Sequence, residues 1–181
     1  MNICVYGAAR NDIHPDYIAA GEALGRRMAA RGHVLVYGGG GNGLMGAAAR
    51  GIHEGGGKSI GIVPSFFNVD GVLFPHTTEL IYTETMRERK QLMEARSDAF
   101  VMTPGGIGTF DEFFEILTLR SLGRHDKPIA ILNTRGYYDS VRELLDKAVT
   151  EGFMTPDKKQ LYCFFEEPEA LLCYLEAELA R

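Results

Sequence analysis

Three stretches of this sequence carry residue types whose spacing could do chemistry. The first, Thr103-Pro104-Gly105-Gly106-Ile107-Gly108-Thr109, leaves an apolar run and opens a segment of helical period. Glycines let backbone N–H groups approach an anion closely, and the N-terminus of the helix that follows adds a partial positive charge. Proline stiffens the exit from the run, and Thr109 offers a hydroxyl where the helix is expected to start. The reading is a nucleotide phosphate held by Gly105, Gly106, Gly108 and Thr109. Glu112 follows, with Glu115 at i+3 on a similar side of the helix, so the site could present two carboxylates. Glu112 has two readings of equal weight. Thr109-x-x-Glu112 has capping-box spacing, yet a carboxylate one turn past a phosphate loop also reaches a bound ribose.

The second stretch runs Val34-Leu35-Val36-Tyr37 into Gly38-Gly39-Gly40-Gly41-Asn42-Gly43 and then Leu44-Met45-Gly46 before alanines. So many glycines favour close ligand approach, through Gly39, Gly40 and Gly43, over a tight turn alone. Neither loop ends in the Gly-Lys-Ser/Thr of a Walker A site, which disfavours Mg²⁺-dependent triphosphate hydrolysis. The third stretch is Thr85-Met86-Arg87-Glu88-Arg89-Lys90. Thr85-x-x-Glu88 is a second capping box, so a helix starts there carrying cations in its first turns. Cations oppose the macrodipole at that end, which favours a cationic wall facing an anionic ligand. The alternative is pairing with Glu84, Glu88 and Glu94 on a solvated face. Histidines 14, 33, 53, 76 and 125 lack metal-ligand spacing, no serine sits in G-x-S-x-G, and no metal or cofactor is expected.

These stretches need elements to position them. Short apolar runs ending in glycine or proline alternate with helical periods. Strands are expected near 2–6, 34–37, 59–63, 79–82, 98–102 and 128–132. Helices are expected near 15–31, 43–54, 85–97, 109–123, 137–151 and 167–180. That alternation predicts a Rossmann-like, doubly wound parallel sheet in a three-layer α/β/α arrangement, with residues 1–181 as one domain. Ligands of such sheets sit beyond the carboxyl ends of the strands, where two of the glycine clusters fall. The 64–78 stretch is the longest irregular piece, and its Phe66-Phe67 pair is expected to pack on the sheet rather than line a pocket. The stripe Phe110, Phe113, Phe114, Leu117, Leu122 reads as core, with the 113–114 pair widening it toward a partner subunit.

Composition bounds the partners. The chain has 181 residues, 24% of them charged, and a formal net charge of −5, which argues against nonspecific binding to nucleic acid or acidic membranes. Its 22 glycines are roughly 12% of the chain against a usual ~7%, clustered in loops. Three cysteines without a C-x-x-C suit a reducing compartment, and no apolar run approaches a membrane span, so a cytoplasmic location is expected.

Together, Tyr37-Gly38-Gly39-Gly40, Gly43-Leu44-Met45-Gly46, Met86-x-x-Arg89-Lys90 and Pro104-Gly105-Gly106-x-Gly108-Thr109-x-x-Glu112 closely resemble the Lonely Guy family. Its members are cytokinin riboside 5′-monophosphate phosphoribohydrolases, often mislabelled lysine decarboxylases. The likeness runs to about residue 155 and includes Leu122-Gly123-x-His125-Asp126-Lys127-Pro128 and Gly136-Tyr137-Tyr138. It implies a homodimer with sites at the interface that releases a free base and ribose 5-phosphate from a nucleoside monophosphate such as AMP. It implies Arg89 and Glu112 as the catalytic pair, the 105–109 loop as the phosphate holder, and Lys90 as a substrate-positioning residue. Ala8-Ala9-Arg10 and Arg87 depart from the common family pattern, and the 65–78 loop matches it poorly; the resemblance implies that these positions surround the base. The alternative function is a non-catalytic nucleotide or molybdenum-cofactor binding protein on a related fold.

Overall fold

The computed structural model describes residues 1–67 and 71–181. The strands are β1 (Asn2–Tyr6), β2 (Val34–Tyr37), β3 (Lys58–Pro64), β4 (Glu79–Thr83), β5 (Ala99–Met102), β6 (Ile129–Leu132) and β7 (Cys163–Phe165). The helices are α1 (Pro15–Ala30), α2 (Gly43–Glu54), α3 (Met86–Ala95), α4 (Ile107–Ser121), α5 (Asp139–Thr150) and α6 (Pro168–Leu179). All the strand pairs are parallel, in the order β4-β3-β2-β1-β5-β6-β7. β7 is an addition to the six expected strands: three half-buried residues that pair with β6 at the sheet edge.

Alternation along the strands builds two cores, one on each face. Ile3, Val5, Leu35 and Tyr37 pack with Leu24 and Met28 of α1 and Leu171 and Leu175 of α6. Cys4, Tyr6, Val36 and Phe100 pack with Met93 of α3, Phe113 and Ile116 of α4 and Leu145 of α5. Within the expected aromatic stripe, Phe113 and Leu117 are buried, whereas Phe114 and Leu122 are exposed. That half of the stripe is surface, because α4 turns those positions away from the sheet.

The start of α3 is as expected. Thr85 Oγ1 accepts from Glu88 N at 3.2 Å, and Glu88 Oε2 accepts from Thr85 N at 3.2 Å. Removing the cap hydroxyl in Thr85→Ala should cost about 1 kcal/mol. Calorimetry should record that as a melting temperature lower by roughly 2–4 °C. The start of α4 corrects the sequence reading. Gly106 is the N-cap and Ile107 the first helical residue, so Thr109 lies inside the first turn and no capping box forms with Glu112. Glu112 is thereby left available for another partner.

Candidate active site

Chain order reverses between β1 and β5, which are neighbours in the sheet while β2, β3 and β4 lie to one side and β6 and β7 to the other. A crevice forms at such a switch point, beyond the carboxyl ends of the strands. Thr103 fastens its two rims, donating from both its amide and its hydroxyl to Tyr6 O at 2.8 Å. A cavity of about 420 Å³ opens above them. The loop after β1 (Gly7, Ala8, Ala9), the glycine loop after β2 and the first turns of α3 and α4 surround it.

The two glycine loops are not equivalent. At the start of α2, Gly43 N donates to Asn11 Oδ1 at 2.8 Å and Met45 N to Ala8 O at 3.3 Å. Gly39 and Gly43 have positive φ, and a Cβ on Gly43 would sit 2.3 Å from Ala8 O. Positive φ at both, the Ala8 backbone beside Gly43 and the Val63 side chain beside Gly39 demand these two glycines, while Gly38 and Gly40 line the cavity. At the start of α4 the first intrahelical bond is Phe110 N to Gly106 O. The amides of Ile107, Gly108 and Thr109 precede the donors that a helix pairs internally, which leaves them for an anion. Gly106 and Gly108 are exposed, with open space where a Cβ would stand.

Arg89 of α3 and Glu112 of α4 meet across the cavity floor in an ion pair between Arg89 Nη2 and Glu112 Oε1. Their side chains are only 12% and 9% exposed. Burial raises the Glu112 pKa above the ordinary carboxylate value, and the Arg89 charge opposes that rise. Arg89 Nε is buried with no partner among the described residues, which leaves Glu112 as its principal polar contact. Beneath the pair, burial pushes the Cys4 thiol up to about 12 and the Tyr6 hydroxyl well above its usual value.

Of the residues singled out in the sequence, the cavity wall includes Arg89, Glu112, Gly40, Gly106, Gly108 and Thr109. Gly105 lies behind the wall, where a Cβ would meet Thr109 Oγ1 at 2.1 Å. Lys90 turns to the opposite side, bonding Asp111 at 3.0 Å and pairing with Glu115. Burial alone would lower the Lys90 pKa, but these carboxylates outweigh it and raise it. Together with the exposed Arg87, Lys90 and Glu115 border a separate groove over Ile107, Phe110 and Phe114. The cationic wall expected along α3 is thus divided between two sites, because consecutive helical residues point about 100° apart. None of its cations pairs with Glu84, Glu88 or Glu94 among the described residues.

The phenylalanine expectation is also corrected. Phe66 and Phe67 are 59% and 46% exposed, and Phe67 lines the cavity. β3 continues through Pro64, so the chain has already left the sheet when it reaches them. With Met45, Val63, Val72, Leu73 and Met86, Phe67 makes an apolar wall facing the pair. Phe67, Val72 and Leu73 belong to the 65–78 loop that the resemblance sets around the base, whereas Met45, Val63, Met86, Asn42 and Asp111 are lining residues the sequence did not single out. The signal available was adjacency: Met45 and Asn42 lie within the glycine loop, Met86 beside the cap, and Asp111 beside Glu112.

A family model described as "Possible lysine decarboxylase" matches residues 45–175. A cytokinin riboside 5′-monophosphate phosphoribohydrolase of Arabidopsis thaliana is 39% identical over 88% of this chain and 74% of its own length. The chain belongs to the Lonely Guy family. A second Lonely Guy protein of Arabidopsis thaliana with the same description is 37% identical over 96% of this chain and 82% of its own length. Among solved structures, the molybdenum cofactor carrier protein of Chlamydomonas reinhardtii superposes with a TM-score of 0.74 at 22% identity, covering 99% of this chain and 98% of that one. The molybdenum cofactor binding protein of Rippkaea orientalis gives 0.73 at 21% identity, covering 98% and 95%. At such identities the likeness is one of fold, and it places this Lonely Guy chain among three-layer parallel α/β proteins.

Proposed function

We propose that this protein hydrolyses the N-glycosidic bond of a nucleoside 5′-monophosphate, releasing the free base and ribose 5-phosphate. The observation that carries the reading is the juxtaposition, in one cavity, of the unpaired first amides of α4 and the buried Glu112–Arg89 pair one turn farther on. The 5′-phosphate sits on the amides of Ile107, Gly108 and Thr109, and its binding energy holds the anomeric carbon near Glu112. As the bond breaks, its electron pair leaves with the base nitrogen, and positive charge develops on the ribose. Glu112, ionised beside Arg89, orients the ribose hydroxyls and stabilises that charge or takes a proton from the attacking water. The water oxygen bonds to the anomeric carbon, and the departing base takes up a proton. Arg89 binds the substrate and assists departure of the base.

The apolar wall of Met45, Phe67, Val72, Leu73 and Met86 supports a base carrying an apolar substituent, in keeping with the cytokinin ribosides named for the relatives. Chromatographic detection of free base from a panel of nucleoside 5′-monophosphates tests this. N6-alkylated AMP is expected to turn over faster than AMP, and the corresponding nucleosides, lacking phosphate, at least tenfold more slowly, since tenfold is only 1.4 kcal/mol of lost anchoring. Tight binding of a monophosphate with no base released over hours would instead favour the non-catalytic carrier reading.

The same proposal includes a homodimer and a cytoplasmic location. The groove bordered by Arg87, Lys90 and Glu115, with exposed Ile107 and Phe114, supports burial against a second copy. The free cysteines Cys4, Cys163 and Cys173 support a reducing compartment. Among the described residues no helix is long and apolar enough to cross a membrane.

A further inference from the structure

Three consecutive carbonyls at the exit of β5 are each held from outside the loop. Thr103 O accepts from Tyr138 OH at 2.7 Å, Pro104 O from Ala8 N at 3.0 Å, and Gly105 O from Tyr137 OH at 2.8 Å. In a trans peptide the carbonyl and the following N–H point in opposite directions. Drawing Gly105 O toward Tyr137 therefore turns Gly106 N–H the other way. Gly106 lines the cavity and Gly105 does not, so the other way is toward the ligand.

We propose that Tyr137 is a positioning residue for the phosphate subsite, its hydroxyl locking the Gly105–Gly106 peptide with the amide facing the ligand and the carbonyl facing away. The proposal rests on the reading of the 105–109 loop as a phosphate holder and adds the device that sets its polarity. A lock is needed because both flanking residues are glycine. Rotating this peptide by half a turn carries Gly106 from its φ of −101° into the left-handed region, which glycine tolerates and other residues resist. The flipped loop would aim a carbonyl dipole at the phosphate.

Tyr137 is itself held in place. Its ring meets Tyr17 of α1 edge-on at 5.8 Å. Two residues earlier, Arg135 stands in the left-handed region at φ 58°, an uncommon conformation for a residue other than glycine. It is tied to Asp16 of α1 by a 2.6 Å ion pair. The turn carrying Tyr137 is thus fastened to α1, and the fastening extends through the hydroxyl to the loop.

The test is Tyr137→Phe, which keeps the ring and removes only the hydroxyl. KM for a nucleoside 5′-monophosphate and the dissociation constant for inorganic phosphate, measured by calorimetry, should both rise about tenfold, a typical effect of losing one such bond. The kcat value should stay within about twofold. A structural role alone would lower the melting temperature without this split, so unchanged KM and phosphate affinity overturn the proposal. Gly106→Ala supplies the second arm. Alanine accepts the present φ, meets nothing within 4 Å, and resists the flip. In a Gly106→Ala background, Tyr137→Phe should therefore cost markedly less than it does alone, and an undiminished cost also overturns the proposal. If the wild-type protein binds neither monophosphates nor inorganic phosphate, the phosphate reading itself fails and the lock fails with it. If the wild type binds both and only the variant effects are missing, the lock alone is wrong.

Discussion

Glu112→Gln is expected to lower kcat for base release about 10³-fold, within the usual range for removing an acid–base group. Glutamine keeps the shape and the hydrogen-bonding oxygen but cannot carry the negative charge that stabilises a developing ribosyl cation. The pH dependence follows from the raised pKa of Glu112. In the proposed mechanism the active form is the carboxylate, so kcat/KM should fall as pH drops through a value above the ordinary carboxylate value, and the glutamine variant should lose that acidic limb. A folded variant, verified by circular dichroism, that retained wild-type turnover would remove Glu112 from the mechanism.

Arg89→Gln is expected to affect both activity and stability. It takes away the charge that keeps Glu112 ionised at its buried position, so the Glu112 pKa should rise further. Breaking a buried pair by deleting one partner typically costs 3–5 kcal/mol, because the other charge is left uncompensated. The sign of the pH dependence is determined by Glu112, whose folded pKa in the variant exceeds its unfolded value. Protonation then favours the folded state, and stability relative to wild type is lost as pH rises from the unfolded pKa through the folded one. Urea titrations at pH 5 and pH 8 should show a smaller deficit at pH 5. An equal deficit at both would mean that Arg89 acts through packing rather than through its charge.

Much of this architecture is legible in the sequence because strand, turn and helix are punctuated locally. The runs ending at Tyr6, Tyr37 and Met102 are apolar throughout, as two-sided burial requires, and each ends at or beside a glycine or threonine that begins a loop. The Thr85–Glu88 cap is legible for the same reason, since its two bonds lie within four residues. The Thr109–Glu112 spacing is the same signal with a different outcome. Glu112 has a stronger partner in Arg89, twenty-three residues earlier, and Gly106 takes the cap position instead. β7 is hidden because three half-buried residues following a lysine-rich turn show neither period, and only its neighbour β6 makes it a strand. The division of Arg87, Arg89 and Lys90 between two sites depends on partners more than twenty residues away on α4, Glu112 for Arg89 and Asp111 and Glu115 for Lys90. Likewise, the bond from Tyr137 to Gly105 spans thirty-two residues, a distance at which spacing carries no information.

At the start of α4 the carbonyls of the loop are tied to β1's loop and to the turn after β6, which stiffens the cradle. An anion site stiffened in this way has little ordering entropy to lose on binding, and under the proposed function it would grip a sugar phosphate whether or not a base is still attached. Besides holding the anomeric carbon in place, such a site would favour capture of dilute substrate and also retention of the sugar phosphate that hydrolysis leaves behind. On that proposal, departure of the product is expected to compete with bond cleavage for control of the turnover rate, and added ribose 5-phosphate is expected to slow base release.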